Sequence, residues 1–169
     1  MRRAQRGPDP FALDQALAAL DEAFDRKAWH GPNLRGSVRG VPARVAAWRP
    51  GPGRHNVWEL VVHAAYWKYT VRRRLTGEKR GSFPLAGSNW FTRPPRGTKD
   101  LETAWRADVA LLVAEHRRLR AAIAALPPRS LGDVSPGSAH TLGRLATGAA
   151  LHDVYHAGQI QMLKRLCPR

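Results

Sequence analysis

Leu13, Leu17, Leu20 and Phe24 recur at intervals of four, three and four, the spacing that lines side chains along one face of a helix. Asp9 is placed as an N-cap before Pro10 at the first helical position, and His30-Gly31-Pro32 closes the segment. A second stripe, Leu60, His63, Ala64, Trp67 and Val71, follows Asn56 with Glu59 three residues on, the capping-box arrangement. This helix is predicted from Asn56 to about Leu75, ahead of Thr76-Gly77. A third runs from about Lys99 to Leu126, where Pro127-Pro128 stops it. Its seam holds Trp105, Val109, Leu112, His116 and Leu119, and a shift of one residue substitutes Glu115 for His116. A fourth begins after Thr141 and runs to about Leu166. Between the first two, a Gly/Pro-rich stretch reaching Gly53 has room for helical turns around residues 34–38 and 42–48.

Four amphipathic helices with no strand-like alternation predict an all-α fold, a four-helix bundle filling residues 1–169 as one domain. The linker between the second and third helices, residues 77–98, is too long for a hairpin. Extended at about 3.3 Å per residue, it can span the length of the bundle and leave the middle helices parallel. The expected order is therefore up-down-down-up with a long crossover. Phe83, Trp90 and Phe91 in that linker need apolar cover and are expected over the core, with a lid over a pocket as the alternative.

A chain of 169 residues with 43% hydrophobic and 24% charged residues lies within the globular range. No apolar run approaches the roughly 18 residues of a membrane span, and the basic start, residues 1–8, is not followed by a signal-peptide core. The lone Cys167 excludes an internal disulfide framework and a CxxC redox site. A cytoplasmic protein without membrane attachment is expected. The net charge of +15 would suit a polyanion. However, 23 of the 28 basic residues are Arg, beside 26 Ala, 15 Gly and 13 Pro, the mixture that a biased coding composition produces. Arg72-Arg73-Arg74 also fans around a helix rather than forming one face. Specific nucleic-acid binding is therefore not expected; a basic binding module with a structural metal is the non-enzymatic alternative.

The seam of the fourth helix reads Leu145, Ala149, His152, His156, Gln159, Leu163 and Leu166. Three polar side chains occupy the middle of a stripe that should face the core, where an unpaired polar group costs about 1–3 kcal/mol. His63 adds an inward imidazole from the second helix. Either these rings form a hydrogen-bonded cluster or they hold a first-row divalent ion, with an open fourth position as in catalytic zinc sites. Asp153 and Gln159 are the candidates to orient the rings from behind. His152-Asp-Val-Tyr-His156 differs from the metalloprotease HExxH helix by Asp for Glu, and no His, Asp or Glu follows His156. The protease reading is rejected. Trp29 and His30 end the first helix at the same end of the expected bundle and are candidates for a substrate pocket, against plain helix-end packing. His55 is expected to be exposed, and Cys167 lacks a local activator beyond Lys164 and Arg165.

Asn56-Val-Trp-Glu-Leu-Val-Val-His63 and Leu151-His-Asp-Val-Tyr-His-Ala-Gly-Gln-Ile160 resemble the DinB-like, or YfiT-like, bacterial superfamily. The resemblance covers nearly the whole chain, including the long linker. It implies an up-down-down-up bundle that binds zinc or nickel through His63, His152 and His156, often as a homodimer. It also implies a metal-dependent enzyme acting on a small molecule, foremost a transferase that uses a low-molecular-weight thiol, with a metal-dependent hydrolase as the alternative. No other catalytic residue is assigned.

Overall fold

The computed structural model describes residues 10–135 and 137–168. Asp9 and the basic start of the chain lie outside the described residues. The elements are α1 (Pro10–Phe24), α2 (Leu34–Val38), α3 (Ala43–Ala47), α4 (Val57–Thr76), α5 (Leu101–Ala124), a 3-10 turn (Pro128–Gly132) and α6 (Leu142–Leu166). Among the described residues the only extended pairing is an isolated bridge between Val134 and Thr141. No helix among them is long and apolar enough to cross a membrane.

Side-chain caps fix the starts of the long helices. Asn56 accepts from the Glu59 N–H at 2.8 Å, Asp100 from Thr103 at 3.0 Å and Thr141 from Arg144 at 3.2 Å. At the other end of α4, Gly77 takes a left-handed conformation (φ +74°) that a side chain would oppose. The capping box at Asn56 is only half formed. The buried Glu59 carboxylate turns to the Arg49 guanidinium, to the His55 Nδ1–H at 3.0 Å and to the Arg93 N–H at 3.2 Å. A guanidinium compensates a buried carboxylate better than one helix-end amide does.

Contacts between helices follow a regular progression. From α4 to α5, Trp58 donates to Asp108 at 2.6 Å and Arg72 approaches Glu115 at 3.7 Å, so the numbers rise together. From α4 to α6 they run oppositely, with His63 beside His156 and Lys68 bound to Asp153. From α1 to α5, Asp21 pairs with Arg120 while Phe24 stacks on His116.

The core forms two apolar clusters. One is built on Trp58, Val61, Leu112 and Ile160, the other on Leu20, Leu119, Ile123 and Ala146. Between them on their helices lie the buried polar residues Lys68, Glu115, His116 and Asp153.

The burial pattern departs from the expected seams at two places. On α6 the most enclosed line is Ala146, Ala150, Asp153, Ala157 and Ile160, and Leu166 is exposed. Its small alanines let neighbouring helices approach closely, which rotates the seam and leaves His152 at its edge. On α4 burial extends around the helix, from Val57 to Ala65 without a break. The cause is the linker, which folds back along α4. Gly81 N–H bonds to the Tyr69 hydroxyl, Phe83 and Phe91 pack on Tyr66, Asn89 reaches His63, and the Arg93 carbonyl accepts from Asn56.

Candidate metal centre

His63 projects from α4, and His152 and His156 from successive turns of α6. One ring nitrogen from each lies within 4.8 Å of the others. His152 Nε2 stands 3.2 Å from His63 Nε2 and 3.0 Å from His156 Nε2. The opposite edges of two rings are fixed. His63 Nδ1 lies 2.9 Å from the Asn89 carbonyl and must donate to it, so its Nε2 carries a lone pair. His156 Nδ1 likewise donates to Gln159 Oε1 at 2.6 Å, and Gln159 Nε2 donates to the Tyr155 hydroxyl, which fixes that amide's orientation.

Two lone pairs therefore face His152 Nε2, which can bring at most one proton to them. Three ring nitrogens so placed can hold a cation. Burial, the leading cause in each case, makes protonation unfavourable. It holds His63 down to about 4 against the pull of the Asn89 carbonyl, and His152 down to about 3 with His156 and His63 adding to the effect. It also lowers His156, opposed by the hydrogen bond to Gln159. Neutral imidazoles are the form that binds metals. Two nitrogens at about 2.1 Å from one tetrahedral zinc stand roughly 3.4 Å apart, close to the separations found. The donor set fits a divalent ion.

Trp90 stacks on His63 with ring centroids 3.9 Å apart, and His55 stacks on its other face at 3.6 Å. The linker tryptophan thus covers the site directly, while Phe83 and Phe91 join the core. Two grooves flank the histidines. One, of about 670 Å³, has His156, Gln159, His55 and Trp90 in its wall. The other, of about 490 Å³, has His152, Trp67, Lys68 and Asp153.

Gln159 stands where an orienting partner is expected, but Asp153 does not. Its carboxylate bonds Lys68 rather than an imidazole, because a buried lysine needs a countercharge. Burial pushes Asp153 up to about 6 and Lys68 down, each partly offset by the other. His116 and Glu115 are both buried but touch no ring of the triad: His116 Nδ1 is 3.4 Å from Lys68 Nζ, and Glu115 pairs with Arg118. Trp29 is 94% exposed, and His30 borders a groove on the outer side of α6 with Val154 and Met162. Neither lies against the three histidines. Cys167 is a free thiol at the end of α6. Sequence reasoning passed over Lys68 and Asn89. Lys68 carried a signal, a lone charge inside the run from Leu60 to Val71. Asn89 carried none, since its role depends on where the linker runs.

The described residues form helices, and two of those helices share a cluster of three histidines close enough to hold a metal ion. The sequence profile of the DinB superfamily matches residues 26–160, and the chain belongs to that superfamily. No curated protein and no solved structure matches it.

Proposed function

We propose that the chain is a metal-dependent enzyme in which His63, His152 and His156 hold one zinc or nickel ion, and that it transfers a low-molecular-weight thiol to a small electrophile. The observation that carries this reading is the convergence of three Nε2 atoms, two of them with fixed lone pairs, between two open grooves. A divalent ion in that position favours thiolate over thiol at neutral pH. The chain's own groups do the rest. Asn89 and Gln159 hold two rings in the ligating tautomer, and Trp90 shields His63 from water. The grooves admit the thiol and its acceptor to opposite sides of the cluster. The contact progressions support an up-down-down-up order of the long helices, and we take residues 1–169 as a single domain. The family resemblance supports a homodimer, and we place it in the cytoplasm, acting on small molecules without a membrane or a specific nucleic acid.

The test begins with untagged protein, which should carry about one zinc or nickel per chain, lost in the His152→Ala variant. Full metal content in a variant with all three histidines changed to Ala would remove the site. Metal-loaded protein is then screened with several small thiols and an electrophile, beside ester and amide substrates. Thiol-dependent turnover absent from His152→Ala is the expected result. Hydrolysis that needs no thiol would make the protein a hydrolase instead.

A further inference from the structure

The two grooves beside the histidines differ in charge. The wall of the one on the His156 side carries a single permanently charged residue, Arg54. The one on the His152 side carries Lys68, Asp153, Arg74 and Arg144. Lys68 and Asp153 neutralise each other. Arg72, two residues before Arg74, is also neutralised, by Glu78 and Glu115. Arg74 and Arg144 have no carboxylate within ion-pair distance among the described residues, so this groove keeps two uncompensated guanidiniums. The stretch between them and His152 is apolar, formed by Trp67, Val71, Leu145 and Ala149. Along α6, Arg144 and His152 are eight residues apart, about 12 Å at 1.5 Å per residue.

We infer that the groove between α4 and α6 binds an elongated amphipathic anion, its carboxylate or phosphate headgroup on Arg74 and Arg144 and its apolar body running toward His152. Guanidinium forks suit both headgroups, and the volume of about 490 Å³ is that of a small-ligand site. Gly148 lies in the wall, and a β-carbon there would meet nothing within 4 Å, so the groove can be filled from the backbone without a clash. Binding here does not depend on the metal. Its connection to thiol transfer, as the seat of one reactant, rests on the proposed function.

The experiment titrates octanoate, octyl phosphate and neutral octanol into the metal-free and metal-loaded full chain by calorimetry. Either anion should bind at one saturable site, and octanol about tenfold more weakly or worse; the tighter of the two anions identifies the headgroup. Arg74→Met and Arg144→Met should each weaken binding about fivefold, while Arg129→Met, an exposed control, should not. Gly148→Leu improves helix propensity and should retain or raise the melting temperature while weakening binding about tenfold. Absence of saturable binding to the wild-type chain overturns the assignment, as does binding by Gly148→Leu equal to wild type or equal losses in all three arginine variants. Equal binding by the metal-free and metal-loaded chains is expected, since the groove's contacts do not involve the metal; a wild-type chain that takes up no zinc or nickel yet still binds the anion would count against the proposed function alone.

Discussion

Lys68 and Asp153 are 2% and 0% exposed, and their charges are compensated mainly by each other. Asp153→Ala leaves a buried ammonium with no counterion and should cost about 3–5 kcal/mol in denaturant unfolding. The double change Lys68→Met, Asp153→Leu removes both charges and should recover most of that loss. His116 makes a separate contribution. Burial, then Lys68, hold it down to about 3 from 6.5. Between those values the unfolded chain binds one more proton than the folded one, so stability is complete above about pH 6.5 and falls as the solution is acidified. Metal-free wild type should lose about 2 kcal/mol more than His116→Gln between about pH 7 and 5, measured by urea unfolding. At this scale the sequence made the three histidines legible, because polar residues in an apolar stripe demand a reason. It did not reveal the partner of Asp153, because a contact between α4 and α6 has no local signature.

The three longest helices, α4, α5 and α6, follow their caps and stops closely, and the short turns at residues 34–38 and 43–47 fall where the Gly/Pro-rich stretch leaves room for them; α1, however, ends at Phe24, so Trp29 and His30 stand in the turn beyond it rather than at its end. What remained hidden was the linker's course, which turns α4 from an amphipathic helix into one buried almost all round. Phe83 and Phe91 announce only that cover is needed, not which surface they cover. Glu59 ties the linker down by accepting from Arg93 N–H and holding Arg49. Glu59→Ala unpairs both and should lower stability by about 2–3 kcal/mol. Amide exchange should speed up around residues 90–93 while α5 stays protected; unchanged exchange there would show that the linker is held by its aromatic residues alone.

Across the whole molecule a polar layer divides the core. Lys68, Asp153, Glu115 and His116 lie between the two apolar clusters, with the three histidines close by in sequence on α4 and α6. Polar groups that require particular partners fix how far α4, α5 and α6 can slide past one another, which apolar side chains alone fix less well. The +15 charge is distributed differently. Arg120 and Arg26 share Asp21, Arg35 meets Asp25 and Arg118 meets Glu115, so many guanidiniums serve local ion pairs. With the arginines spread around the helices rather than gathered on one face, association with DNA should be weak, blind to sequence and lost between roughly 50 and 200 mM salt. Filter binding with a persistent preference for one sequence at physiological salt would contradict this. The excess of arginine was plain from composition, but which of the guanidiniums find a carboxylate depends on the fold.

The left-handed backbone at Asn89 (φ +63°) bears on how a lineage of such chains can change. That position offers its carbonyl to His63 and its side-chain oxygen to the Trp67 indole, in a conformation that few residue types tolerate. Glycine would keep the backbone and lose the indole bond; aspartate would keep an acceptor but place a charge beside the imidazoles. Of the exposed residues just before it, Ala86 and Ser88 carry no such demand and are free to drift, while Gly87 (φ +114°) is held by its own backbone. Descendants with long or short linkers should still place an asparagine, or at the least a glycine, where the chain passes His63.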